Sequence, residues 1–273
     1  MPSAIGLRFA LSLGPHGAQL ALRSGLWRPR FELLESLVWP AQTGEAQRAA
    51  HLPPTLDALL LRHAVAGSAL EVLVADVWAP SASVQPPAKG ATLADLQAAT
   101  ALRLRAVTDA ASGWECASEP RVGGPFMASA LRSGVLDLLR DQCQRHRLHL
   151  VSVQPLFAAV WNHWHGALAP GQWLGICSAG VLTLCVAPKR HVAHVRRLDF
   201  AAAHAQEPRW PLDAAKREGL RLGVAAPSAL VLCGAVPAPW RNPVPAALGA
   251  RRGPSAAYLG SVGDALGLWG LQP

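Results

Sequence analysis

The segment 173–198, WLGICSAGVLTLCVAPKRHVAHVRRL, reads as three short strands joined by tight turns. Its first turn is Ser178-Ala179-Gly180. A glycine-bearing hairpin of this kind offers backbone N–H groups that can hold phosphate oxygens. Nucleotide chemistry also needs a carboxylate to place Mg²⁺, and this turn has none.

Other residues with chemical potential are few. No G-x-S-x-G, P-loop or H-E-x-x-H pattern occurs. Asp76 ends an apolar run, where α/β enzymes often keep a catalytic acid and where ordinary proteins cap a loop. His163 and His165 stand two apart between Trp161 and Trp164, so they do not share a helix face. His146 and His149 lie nearby, but no carboxylate follows at ligand spacing, and no metal site is expected. The five cysteines show no paired metal spacing; Cys177, Cys185 and Cys233 sit in apolar runs and read as small buried hydrophobes. Ten tryptophans stand against one tyrosine. Most read as core, while the group Trp161, Trp164 and Trp173 at one helix-to-strand junction fits either core packing or an exposed groove for an apolar segment. Trp78 and Trp240, beside Pro-rich loops, are the expected exposed contacts for a partner.

The elements that must position these residues follow from pattern. Residues 5–39 form a three-stranded meander turning at Gly14-Pro15-His16-Gly17. Pro53-Pro54-Thr55 opens a helix that stops at Gly67, and LEVLVADVW (70–78) is a strand. A Pro/Ser-rich loop leads to a helix with Thr92 as N-cap and Asp95 completing a capping box. That helix is expected to bury Leu93, Leu96, Ala99, Leu102 and Val107. Two short strands, GWECASEP and PFMASAL, precede a helix capped by Ser133 with Val135, Leu136, Leu138 and Leu139 inward. The second half runs as strand HLVSVQP, helix, the 173–198 hairpins, helix PLDAAKREGLRLG and apolar strand ALVLCG. An irregular loop at APW-RNPVP and a Gly-interrupted helix over GPSAAYLGSVGDALGLWG close the chain. Each half therefore holds a meander, then a helix, then an apolar strand, which is a weak internal repeat.

Composition limits the partners. The 273 residues are 51% hydrophobic and 15% charged, which excludes a disordered chain. The net charge of +8 comes mostly from Arg spread along the chain, in short clusters such as Arg103/Arg105 and Arg196/Arg197. Without a recognition motif this reads as a solvated surface, and no specific nucleic acid is expected. An odd cysteine count and an N-terminus without a signal-peptide pattern point to a reducing, cytoplasmic setting. No uninterrupted apolar run reaches the ~18 residues of a membrane span.

The order of elements resembles the actin-like ATPase superfamily of actin and the sugar kinases. Within it the chain looks most like PilM and the GspL cytoplasmic domain of type IV pilus and type II secretion machines. LEVLVADVW, HLVSVQPLFAAVWNHW, the 173–198 hairpins and ALVLCGAVPAPW carry that resemblance. It implies an α/β, RNase H-like fold of two lobes, each with a three-stranded meander plus helices. The lobes would be 1–147, with an inserted subdomain at about 80–130, and 148–273.

The resemblance also implies a nucleotide cleft built from Ser12, Gly14, Ser178, Gly180 and Gly234. Its acids are missing. The first hairpin has Ser12 where an Asp near 11–13 is expected, and the second has ICSAG for an Asp-hydrophobic-Gly pattern. The adenosine strand ends in Gly234 followed by Ala235 instead of a run of glycines. The implied protein has a degenerate nucleotide site and no ATP or Mg²⁺ cofactor. It would be a non-catalytic scaffold that binds a segment of a PilN-like inner-membrane protein and meets the membrane only through it. Two rivals stand beside it: a divergent ATP-dependent small-molecule kinase of the same fold, and a basic nucleic-acid-associated protein.

Overall fold

The computed structural model describes residues 7–15, 17–25, 30–39, 45–87, 91–108, 113–121, 123–178, 180–187, 191–241 and 255–261. The first meander is β1 (Arg8–Leu13), β2 (Gly17–Ser24) and β3 (Arg30–Val38). Helix α1 (Glu45–His63) and the buried strand β4 (Ala69–Val74) follow. β5 (Ser81–Val84), α2 (Leu93–Arg105), β6 (Trp114–Ser118) and β7 (Phe126–Arg132) come next. Helix α3 (Ser133–Arg145), β8 (His149–Pro155) and α4 (Leu156–Trp164) return to the main body. The second meander is β9 (Gln172–Ser178), β10 (Val181–Val186) and β11 (His194–Asp199). Then come α5 (Ala202–Ala205), α6 (Trp210–Leu222), β12 (Ala229–Gly234), α7 (Ala238–Arg241) and β13 (Ser255–Ser261).

These strands form two five-stranded sheets of matching plan, β3-β2-β1-β4-β8 and β11-β10-β9-β12-β13, and a three-stranded sheet β5-β7-β6. In each large sheet an antiparallel meander joins two parallel strands at its first strand. The central parallel strand β12 is buried at every residue, as expected for a strand covered on both faces.

Strand alternation sorts the cores. Phe9, Leu11 and Leu13 face α1 and α3 with Leu70, Val72 and Val74. Leu73 points the other way, towards Phe157 and Val160 of α4. The same cluster holds Leu174, Ile176, Cys185, Val195, Val231 and Cys233 of the second sheet, so α4 is packed between the two large sheets. The far face of the second sheet, with Leu182, Leu184, Leu230 and Leu232, packs on Ala215 of α6 and on Trp240. Burying Phe157, which is fully enclosed, contributes about 2–3 kcal/mol.

Several expectations change. β8, placed at the start of the second half, pairs in parallel with β4 and completes the first sheet. The sheets therefore divide between β8 and β9, not at 147/148. Residues 255–261 are a strand, paired in parallel with β12, where a helix was expected; the rest of the tail lies outside the described residues. Helix α1 begins at Glu45 and carries Pro53 and Pro54 inside it. Helix α2 has its capping box, with the Thr92 N–H donating to Asp95 Oδ2 at 2.8 Å and the Asp95 N–H to Thr92 Oγ1 at 3.3 Å. It buries Leu96, Thr100 and Leu104, spaced four apart, while Leu93 and Leu102 face solvent. Helix α3 begins at Ser133 itself, and its cap position is Arg132, whose side chain does not cap the helix. The irregular APW segment is the short helix α7.

Candidate functional site

The five residues implied for a nucleotide cleft fall at two sheet ends. Ser12 is buried on β1, paired with Gln19 and Leu73. The Gly14 N–H donates to the Gly17 carbonyl at 2.9 Å and closes the first turn. Ser178, Gly180 and Gly234 share one end of the second sheet, where Gly234 is opposite Cys177. Gly180 has φ +79°, and its carbonyl accepts from the Phe200 N–H at 2.8 Å. Gly234 has a purely local reason to be glycine. Its φ is +95°, and a Cβ there would lie 2.2 Å from the Cys177 carbonyl oxygen.

Asp76 follows β4 and reaches the second sheet. Thr183 Oγ1 of β10 donates to its Oδ2 at 3.1 Å. The residue keeps some exposure, but its carboxyl is enclosed, and Oδ1 makes no hydrogen bond among the described residues. Burial pushes its pKa up, opposed by the Thr183 hydroxyl, the Arg197 guanidinium and the Phe157 amide. Phe157 is in the first turn of α4, whose cap residue Pro155 has no side chain to offer. A carboxylate at a helix N-terminus is favourable. The Thr183 bond ties the end of β4 to the second sheet.

Trp78 and Trp240 are not contact residues on the surface: each is 1% exposed. Trp78 folds back from β4 and meets Trp39 edge-on, with centroids 6.3 Å apart. Its Nε1 donates to the Gly14 carbonyl at 3.5 Å. Trp240 stacks on Trp210 at 5.4 Å, and its Nε1 donates to the His204 carbonyl at 3.2 Å. Neighbouring prolines set the path of the chain, but these large rings still gained more by burial. His163 and His165 each pack against a tryptophan ring, and the described residues contain no cluster fit for a metal.

The open site lies elsewhere. β8 is the outer strand of the first sheet and β6 the outer strand of the small sheet. Two cavities of ≈480 Å³ and ≈650 Å³ run between them and share Ala117, Ser129 and Pro155, so they form one groove. Cys116 and Ala117 of β6, Leu131 of β7, Leu136 of α3, and Val151 and Val153 of β8 line the first part. Phe126, Met127 and Trp161 line the second. Val151 is 58% exposed, and the three central residues of β6 face solvent. Among the described residues each strand has one strand partner, β4 for β8 and β7 for β6. A strand edge of this kind can pair with an added chain. Arg140 and Glu115 stand in the first part, Arg121 and Glu119 in the second. Sequence reasoning missed this groove. The sequence HLVSVQP carries no mark that sets an outer strand apart from a central one; the 58% exposure of Val151 shows only in the folded chain.

Several arginines are matched locally. Glu71 takes Arg23 and Arg8, Glu35 takes Arg62, and the buried Glu218 takes Arg196 at 2.8 Å and Arg221 at 2.6 Å. No described helix is long and apolar enough to cross a membrane.

No protein-family profile and no curated protein matches this sequence. Solved structures do match its shape. An actin-like ATPase fold protein of unknown function from Bacteroides thetaiotaomicron is 6% identical with a TM-score of 0.58, over 84% of this chain and 82% of that one. A PilM–PilN type IV pilus biogenesis complex is 15% identical with a TM-score of 0.57, over 84% and 81%. The cytoplasmic domain of EpsL, an inner-membrane component of the Vibrio cholerae type II secretion system, is 13% identical with a TM-score of 0.54, over 96% and 92%. The paired sheets, the helix packed between them and these likenesses agree: the chain has the actin-like ATPase fold.

Proposed function

We propose that this protein is a non-catalytic actin-like scaffold of a type IV pilus-like or type II secretion-like assembly. It holds an extended cytoplasmic segment of a PilN-like inner-membrane partner in the groove between β6 and β8. The observation that carries this reading is the pair of open strand edges flanking an apolar groove. Main-chain hydrogen bonds to β8 would supply affinity, and alternate side chains entering beside Leu136 and Val151 would supply specificity. Likeness to a PilM–PilN complex and to the EpsL cytoplasmic domain supports the setting. The protein would then lie at the membrane through its partner. Its hairpins, without acids at Ser12 and Ser178, serve as turns of the scaffold.

Hydrogen–deuterium exchange tests the reading. The partner's cytoplasmic segment should protect the amides of β8 and β6 and leave β2 and β12 unchanged. A phosphate-release assay with Mg²⁺-ATP should stay at background. Turnover that disappears in Asp76→Asn would contradict the scaffold reading.

A further inference from the structure

A second cleft lies on the opposite side of the small sheet, between α2 and β5 on one wall and β10 and β11 on the other. It holds ≈520 Å³ at its mouth and ≈300 Å³ at its inner end. The two parts share Arg103, Ala106, Val195 and Arg196. Arg197 joins them at the inner end and His194 at the mouth. The lining contains none of Ser12, Gly14, Ser178, Gly180 and Gly234.

The charges in this cleft do not balance. Asp76, engaged by Thr183, is the one acid in the lining of the inner end, and Arg196 is paired from outside it by Glu218, which leaves Arg103 and Arg197 without an ion pair among the described residues. Two of the guanidinium groups are held in place by their Nε atoms. Arg103 Nε donates to the Ser83 carbonyl at 3.1 Å and Arg196 Nε to Glu218 Oε2 at 2.8 Å. Those bonds leave the terminal NH₂ groups, the pair that grips a tetrahedral oxyanion in fork geometry. Arg197 has no ion-pair partner within salt-bridge distance among the described residues. His194 registers the same excess: burial first, then the Arg196 and Arg103 charges, hold its pKa below the ordinary value. The mouth is apolar, with Ala99, Leu102 and Leu222.

We propose that this cleft binds a phosphate group, free or carried by a small molecule, between Arg103, Arg196 and Arg197. A multiply charged oxyanion offsets the charges of Arg103 and Arg197 together, where a single carboxylate would leave one uncompensated, and Arg196 adds its terminal NH₂ groups beside its Glu218 pair. The apolar mouth takes the body of a carrier molecule. The proposal is independent of partner binding, because the groove between β6 and β8 shares no lining residue with this cleft.

Calorimetry at constant ionic strength with inorganic phosphate tests it. The wild-type protein should bind, Arg103→Gln/Arg197→Gln should bind at least tenfold more weakly, and Arg140→Gln should match wild type. If circular dichroism shows the double variant unfolded, the exposed Arg197→Glu carries the same expectation. ATP that competes with phosphate would identify a nucleotide as the carrier. ATP that leaves phosphate binding intact would identify free phosphate or another carrier. Absence of wild-type binding, or equal binding by the folded variants, would overturn the proposal.

Discussion

The two outer strands of the small sheet have opposite fates. β5 is fastened to the second lobe: Ser83 Oγ donates to the Ala193 carbonyl, and Gln85 Nε2 reaches the same oxygen at 3.4 Å. Ala82 and Val84 beside it are 1% exposed. β6 faces solvent along its centre and looks across a groove at β8, also an outer strand. One sheet therefore has a closed edge and an open edge. The closed edge is fastened by a buried side-chain hydroxyl. The open edge leaves a row of backbone groups available for pairing.

The same substitution made on both sides should break that comparison most sharply. Val84→Asp buries a carboxylate without a partner and should cost about 3 kcal/mol or more. Val151→Asp, on the open side, should change stability by no more than about 0.5 kcal/mol. Urea melts of the two variants give both numbers, and equal losses would erase the distinction. A smaller effect follows at the closed edge alone. Ser83→Ala leaves the Ala193 carbonyl only the longer bond from Gln85 and should cost about 1 kcal/mol. Limited proteolysis should then cut within the small sheet first, since its hold on the second lobe is weakened.

Asp76 sharpens the comparison through pH, as a slope and not a fixed loss. Its folded pKa is raised above the ordinary 3.8, so the folded state holds this proton more tightly than the unfolded chain. That contribution is complete below the ordinary value and is lost as pH rises through the raised one. Asp76→Asn removes the titration. Its urea midpoint should gain on wild type between pH 4 and pH 7, and a constant difference would show that Asp76 is not buried as described.

Much of the architecture was legible because it rests on local pattern. The two meanders, the capping box of α2 and the buried run of β12 each announce themselves within a few residues. The misreadings concern partners remote in sequence. His149–Pro155 looks like a strand, but nothing within it states that it pairs with β4. SAAYLGS has alanines that favour a helix, and pairing with β12 makes it a strand. Trp78 and Trp240 sit beside prolines, and the space that swallows each ring is built by residues such as Trp39 and Trp210 far along the chain. The groove was hidden for the same reason, since two edges facing each other exist only after folding. The missing acids at Ser12 and Ser178 were plain from the sequence. The cationic cleft was not, because Arg103 and Arg197 meet only across α2 and β11.

The most direct test of the scaffold account is calorimetry of the partner's cytoplasmic segment with wild-type protein and Val151→Asp. The account predicts saturable binding to wild type and an affinity at least tenfold lower for the variant, with both proteins equally folded. Equal affinity would place the partner elsewhere on the molecule and contradict the account.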